Sequence, residues 1–202
     1  MGLMPKRPVL QTTGRATLAA RPAPARKPVL IETDGYILRS LKPSDAGPTM
    51  AAWFDDPVVM AGLNLPIGGI THDHLRAHIS EYDNYTKYIV GVFTKPDQRF
   101  IGYYYVSINL EHKVGTLSYI IGDPNYRQGH IQDRLGDMIC EEFFTNRSID
   151  KMVARVLANN YRALFMMKNS DFMLEGVFKK DNILPDGGRV DIVQFCRFRP
   201  GV

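Results

Sequence analysis

Apolar and polar residues recur along this chain at two different spacings. Residues 36–41 alternate and predict a strand. Pro43, Ser44 and Asp45 then open a helix that runs through Met50, Ala51, Trp53 and Phe54, and Asp56-Pro57 ends it. A loop of Asn64, Leu65, Pro66, Ile67, Gly68 and Gly69 follows. Thr71 caps a second helix whose Leu75, Ile79 and Tyr82 share one face. Three apolar, β-branched runs come next, at 88–93, 100–108 and 114–121. The turns between them, around Pro96 and around His112, are short, so the three strands form an antiparallel meander. Ile131, Leu135, Met138, Ile139 and Phe143 then recur at the helical period. A strand over 152–157, a short helix capped by Asn159 or Asn160, and strands near 173–178 and 189–198 complete the chain. The predicted order is β-α-α-β-β-β-α-β-α-β-β. It describes one mixed α+β domain with a strand–helix–strand crossover over 114–157.

Composition divides the chain in two. Of the 202 residues, 45% are hydrophobic and 23% charged, a globular balance with enough length for a core. No apolar run approaches the ~20 residues that span a bilayer. The net charge of +4 hides an asymmetry. Residues 1–31 hold Lys6, Arg7, Arg15, Arg21, Arg26 and Lys27 and no acid, so the rest carries a net −2. We therefore expect a basic, Pro/Ala-rich disordered leader over 1–31 and a single mildly acidic domain over 32–202. A basic stripe on the fold is what nucleic-acid binding needs, and the domain's charge argues against it. The leader lacks a secretory h-region and has Lys6 where myristoylation wants Ser or Thr. Cys140 and Cys196 lie among apolar neighbours and cannot alone ligate zinc, which fits buried reduced thiols in a cytoplasmic protein and no metal.

Residues 126–135, YRQGHIQDRL, place one glycine just ahead of the longest helix. Helix N-termini present unpaired N–H groups at the positive end of the dipole, and small residues let a backbone approach a phosphate closely. Many glycine-containing turns start helices and bind nothing, so these ten residues alone leave both roles open.

The surrounding residues narrow the choice. Phe100-Ile101-Gly102-Tyr103, the run from Ser118 to Gly129 with Gly122, Pro124, Tyr126 and Arg127, then Asn160-Tyr161-Arg162-Ala163, then Phe172-Met173-Leu174-Glu175-Gly176 occur in this order. Together they resemble the GNAT superfamily of N-acetyltransferases, most nearly its RimJ/RimL-like, ribosomal-protein-alanine branch. The resemblance covers about 34–198. It implies a GNAT-type fold, a central, mostly antiparallel sheet flanked by helices, with acetyl-CoA as co-substrate and a primary amine as acceptor: a protein N-terminus, a lysine or a small molecule. It implies a phosphate grip by Arg127, Gln128, Gly129, His130 and Ile131, strand addition of the pantetheine arm along Ile120 and Ile121, and a contact from Asn160, which is equally a good helix cap.

The chain also departs from the family pattern. Tyr126 takes a Gln/Arg position, and β-branched Ile131 takes a small-residue position. The loop is one residue short between Pro124 and Gly129, and Asp133 adds a negative charge to the first turn. Where relatives carry a glutamate before the Gly-Tyr pair, this chain has Gly115 and Thr116. Where many carry a tyrosine on the later helix, it has Met166 and Met167. Glu111, His112 and the tyrosines at 103–105 are substitutes of low merit, as exposed-turn and packing residues. Tyr119 is the best single catalytic candidate, since it flanks the place of the thioester. Alignment of the two substrates alone can supply roughly 7–11 kcal/mol. Two other readings stay open: a GNAT-fold binding or sensing protein without turnover, and an anionic-partner binder acting through residues 1–31. A homodimer is compatible with the sequence but not specified by it.

Overall fold

The computed structural model of the chain describes residues 26–127 and 131–202, with side chains from Arg134 onward in the helix that begins at Ile131. Eight strands form one sheet in the order β1-β2-β3-β4-β5-β6-β8-β7. They are β1 (Leu30–Glu32), β2 (Tyr36–Ser40), β3 (Lys87–Thr94), β4 (Phe100–Asn109), β5 (Val114–Ile121), β6 (Lys151–Leu157), β7 (Met173–Ile183) and β8 (Arg189–Phe198). Every neighbouring pair is antiparallel except β5 and β6. The meander β3-β4-β5 and the crossover from β5 to β6 follow the predicted order.

Five helices cover the two faces among the described residues: α1 (Pro48–Ala52), α2 (Pro57–Leu63), α3 (His72–Ser80), α4 (Ile131–Asn146) and α5 (Tyr161–Lys168). Side chains alternate across a strand, so β4 and β5 feed both faces. Tyr104, Val106 and Leu117 pack with Leu135, Ile139 and Phe143 of α4 and Met167 of α5. Tyr103 and Ile120 point the other way, into Met50, Trp53, Val59, Met60, Leu75 and Ile79. The α4 stripe of Leu135, Ile139 and Phe143 is at most 1% exposed. Each such side chain contributes roughly 1.5–3 kcal/mol by leaving water.

Three expectations need correction. First, Asp56-Pro57 begins a helix as well as closing the preceding turn. Asp56 accepts the Val58 N–H at 2.8 Å as N-cap, and Pro57 takes the first helical position, where its missing N–H costs nothing. The single helix expected from Pro43 is in fact a 3-10 turn (Pro43–Asp45), α1 and a second 3-10 turn (Trp53–Asp55). Second, order begins inside the segment assigned to the leader. Val29 is 1% exposed in the core, Leu30 and Ile31 pair with Arg39 and Leu38, and Lys27 N–H reaches Asn84 O at 3.1 Å. Arg147, almost fully buried, donates to Lys27 O at 3.1 Å and pairs with Glu142, which ties this segment to α4. Residues 1–25 lie outside the described residues. Third, β7 runs to Ile183, interrupted by irregularities after Leu174 and Phe178, before the turn where Gly187 adopts φ 86°.

Candidate active site between two diverging strands

β5 and β6 are paired only from Val114↔Lys151 to Leu117↔Ala154. Beyond Leu117, β5 continues against β4 through Ile121↔Gly102, while β6 continues against β8 through Leu157↔Ile192. From Ser118 onward, the edge of β5 that faced β6 therefore has no strand partner among the described residues. A cavity of about 220 Å³ occupies the gap, walled by residues 117–121 of β5, 154–157 of β6, α2 and α5.

The end of this open edge is tightly organised. Asp123 is 5% exposed, accepts the Asn125 N–H at 3.0 Å and pairs with Arg99 at 2.7 Å. Gly122 lies against the Trp53 ring, where any Cβ would collide with the indole. At Gly102 a Cβ would meet the Ile120 carbonyl, so the glycine lets β4 and β5 approach. Arg127 donates from Nε to Ile121 O at 3.0 Å, to Gly122 O, and to Asp56 Oδ2 at 2.6 Å. Burial opposes ionisation of Asp56, yet the Arg127 guanidinium and the Val58 N–H hold its carboxyl below the usual range. Arg127 thus lines the cavity with its charge engaged by the strand end and the α2 cap, not free to face a phosphate.

The other sequence-predicted positions divide clearly. Ile120 and Ile121 stand on the open half of β5 with buried side chains and a main-chain edge toward the cleft, although the Ile121 carbonyl is taken by Arg127. Asn160 caps α5 by accepting the Ala163 N–H at 3.1 Å and lines the cavity opposite Gly62. Gln128, Gly129 and His130 lie outside the described residues. Ile131 is the first residue of α4, and its side chain, like that of Asp133, is outside them too. Tyr119 is half-buried in the cleft wall, and its hydroxyl meets Met166 Sδ at 3.2 Å on α5. A strand tyrosine thus brings a hydroxyl to the helix where the sequence has methionine.

Of the weaker substitutes, Glu111 and His112 are exposed on the turn before β5, at its closed end and away from the cavity. At Gly115 a Cβ would press on Met152 Sδ and Cε, so a larger side chain there requires the buried end of that methionine to shift. Cys140 and Cys196 are both buried free thiols, and burial pushes Cys140 up to about 12. No cluster of three metal-ligating side chains occurs among the described residues. No helix among them is long and apolar enough to cross a membrane.

Two features were not anticipated from the sequence. Arg162 is an exposed residue on the cavity rim with no ion-pair partner among the described residues. Its only sequence signal was its place two residues after Asn160. On the opposite face of β5, His78 of α3 meets the hydroxyls of Tyr82 at 3.1 Å and Tyr105 at 3.2 Å through Nε2. Tyr105 in turn donates to Tyr103 at 3.3 Å. The i,i+4 spacing of His78 and Tyr82 was readable, but the approach of Tyr105 from β4 was not. Burial raises the titration of all three tyrosines; the Tyr105 phenol adds to the rise at Tyr82 and Tyr103, while hydrogen bonds with those two partly offset it at Tyr105, so all three stay protonated near neutrality.

A family model described as an acetyltransferase (GNAT) domain matches residues 36–173. The chain belongs to the GNAT acetyltransferase family. The fold agrees with solved GNAT structures. The ribosomal-protein-S5-alanine acetyltransferase from Vibrio fischeri superposes with a TM-score of 0.73 at 19% identity, covering 86% of this chain and 98% of that one. RimL, a ribosomal L7/L12 α-N-protein acetyltransferase, gives 0.74 at 16% identity over 85% and 95%. The spermidine N-acetyltransferase from Vibrio cholerae, in complex with CoA and spermine, gives 0.71 at 17% identity over 81% and 95%. Among curated proteins, none matches the sequence. The chemistry of this family is acyl transfer that draws on acetyl-CoA. In this family member, the diverging pair β5/β6 is the element to which that chemistry must be fitted.

Proposed function

We propose that this protein is an N-acetyltransferase that moves an acetyl group from acetyl-CoA to a primary amine directly, with both substrates bound together. The observation that carries the reading is the end of the β5–β6 ladder at Leu117. It leaves main-chain groups of residues 118–121 beside a cavity, where an extended amide-bearing arm can add as a strand. The lining fits such a guest. It is largely apolar, with Val58, Val59, Val156 and Leu157 as walls, and Arg162 brings positive charge without an ion-pair partner among the described residues to the rim. When bound, acetyl-CoA supplies the thioester.

The chain's own residues perform the remaining tasks. Ser118 to Ile121 orient the guest through the backbone. Asn160 holds the first turn of α5 at the cleft while staying within reach of its contents. Arg162 contributes electrostatic attraction for phosphates. Tyr119 holds a proton at its hydroxyl in the cleft wall, kept there by Met166, and serves as general acid. Gln128, Gly129 and His130, with the amides at the start of α4, complete the phosphate grip in this reading.

Isothermal titration with acetyl-CoA tests the first step. Micromolar to low-millimolar binding, together with thiol release in the presence of an amine, is the expected result. No heat and no thermal shift at millimolar ligand would refute cofactor use. Binding without turnover across a panel of peptide N-termini, lysine and small amines would transfer support to the binding-protein reading. The lack of an acidic side chain at Gly115, where a Cβ would press on Met152, is the observation that favours that second reading.

A further inference from the structure

Three cavities meet around β5. The cleft between β5 and β6 shares Leu63 and Ile120 with a pocket of about 540 Å³ on the α2–α3 side. That pocket is lined by Phe54, Leu65, Ile70 and Leu75, with His74, His78, Tyr82 and Tyr105 as its polar groups. A smaller cavity of about 270 Å³ adjoins it through the same His78, Tyr82 and Tyr105, and reaches Ser118, which also borders the cleft. The apolar pocket thus abuts the cleft at Ile120, and one imidazole stands at the junction of the two outer cavities.

The arrangement around His78 is built, not incidental. Its ring stands edge-on to Tyr82 and Tyr105, with centroids 5.2 and 5.8 Å away, while the two tyrosines stack at 5.6 Å. Both phenols converge on Nε2. On the other side, Glu81 Oε2 lies 4.0 Å from Nδ1. The remaining titratable groups around these cavities are His74, one turn earlier on α3, Tyr103 behind Tyr105, and Lys87 at the start of β3. No carboxylate lines the larger pocket among the described residues.

We propose that His78 is the proton acceptor for the amine, and that the adjoining pocket selects an amine carried on an apolar or aromatic frame. This rests on the acetyltransferase reading above. With the Nδ1 proton turned toward Glu81, Nε2 offers its lone pair to the Tyr82 hydroxyl, since Tyr105 donates its own proton to Tyr103. The ammonium gives one proton to the Tyr82 oxygen as Tyr82 passes its own to Nε2, and the imidazolium then releases it to solvent. The neutral nitrogen forms the C–N bond as the C–S bond breaks. The sulfur leaves with the electron pair and takes up a proton, and the nitrogen sheds its second proton as the amide forms. The net change is one amide, one thiol and one released proton per ammonium consumed. An imidazole, which can accept a proton and pass it on, suits this duty. The apolar walls favour an aromatic frame, and a polycation finds no countercharge among them.

The test measures kcat/KM against pH for 2-phenylethylamine and for spermidine, using the full chain, His78→Gln, Tyr105→Phe and a control, His112→Gln. The aromatic amine is expected to be the better substrate by at least about tenfold. His78→Gln is expected to lose about 100-fold and the acidic limb of its profile, with acetyl-CoA affinity and thermal midpoint unchanged. Tyr105→Phe should lose less, and His112→Gln should match the parent chain. Retention of the acidic limb in His78→Gln, or faster turnover of spermidine, overturns the proposal. If calorimetry shows no acetyl-CoA binding, the acetyltransferase reading fails, and the pocket is judged separately by NMR of the imidazole Cε1–H groups. A shift of the His78 resonance on adding 2-phenylethylamine supports the amine pocket, and no shift overturns it.

Discussion

The two halves of β5 differ in one respect that explains the rest. From Val114 to Leu117 the strand is paired on both edges, with β4 and with β6. From Ser118 to Ile121 it is paired on one edge only, yet the side chains of Ile120 and Ile121 remain buried. Apolar burial therefore continues along the whole strand while main-chain pairing stops halfway. The closed half is structural. The open half keeps its shape because both faces are packed and its end is clamped by Arg127, not because its hydrogen bonds are complete. A ligand edge can be maintained in this way without a loop, at the cost of leaving polar backbone beside a cavity.

The sharpest way to separate the halves is to damage each. Leu117→Ala, in the closed half, is expected to cost about 3 kcal/mol of unfolding free energy, within the usual range for a buried leucine. Urea denaturation measures it. Tyr119→Phe, in the open half, is expected to leave stability almost unchanged and to reduce kcat about 100-fold, or about 2.7 kcal/mol in activation free energy. Thiol-release kinetics at saturating acetyl-CoA would show this. An unchanged kcat would remove Tyr119 from the chemistry and leave it as packing against Tyr104.

Smaller effects test the clamp and the rim. Arg127→Met frees two carbonyls and leaves Asp56 without its guanidinium, so a loss of about 2 kcal/mol is expected by thermal or urea unfolding. The sign of its pH dependence follows from Asp56. Its folded carboxyl lies below the unfolded value, so the pair's contribution is present above the unfolded pKa and is lost as pH falls through the folded one. Arg127→Met should flatten that acid-side loss. Asp83, which does not line the cleft, offers a control. Burial opposes its ionisation, but the N–H groups of Tyr85, Thr86 and Lys87 bring it from 3.8 down to about 2. Its contribution should be complete above pH 4 and disappear as pH falls toward 2, and Asp83→Asn should abolish this part of the acid slope. Last, Arg162→Gln should raise the Kd for acetyl-CoA about fivefold, near 1 kcal/mol, with the gap closing at high salt.

Legibility followed the range of the interactions involved. Periodicity placed the meander, the long amphipathic helix and the crossover, because those patterns are written in neighbouring residues. The cap at Thr71 was readable for the same reason, and the structure has its hydroxyl accepting the His74 N–H at 3.3 Å. The α2 start at Asp56-Pro57 was also local but ambiguous, since the same dipeptide ends one element and begins another. Arg127 was assigned from its place beside Gly129. Its three acceptors include two carbonyls five and six residues back and a carboxylate on α2, and only the fold brings these together. Tyr119 is a candidate in the sequence because the family resemblance puts it beside the thioester, whereas its contact with Met166 depends on the packing of α5 against the strand. No local pattern marks Arg162 or His78, because the features that single them out are the lack of an ion-pair partner among the described residues and a partner on another element.

The residues in order were enough to determine the α+β class, the family and the chain of elements apart from β1 and the separate α2, because burial periodicity, caps and turn chemistry act over a few positions at a time. What the tertiary structure alone decided was where β5 and β6 part, which charges are already engaged, and which aromatic groups surround His78. Those depend on contacts between segments distant in sequence, fixed by how both faces of the sheet are packed, and no local spacing encodes them.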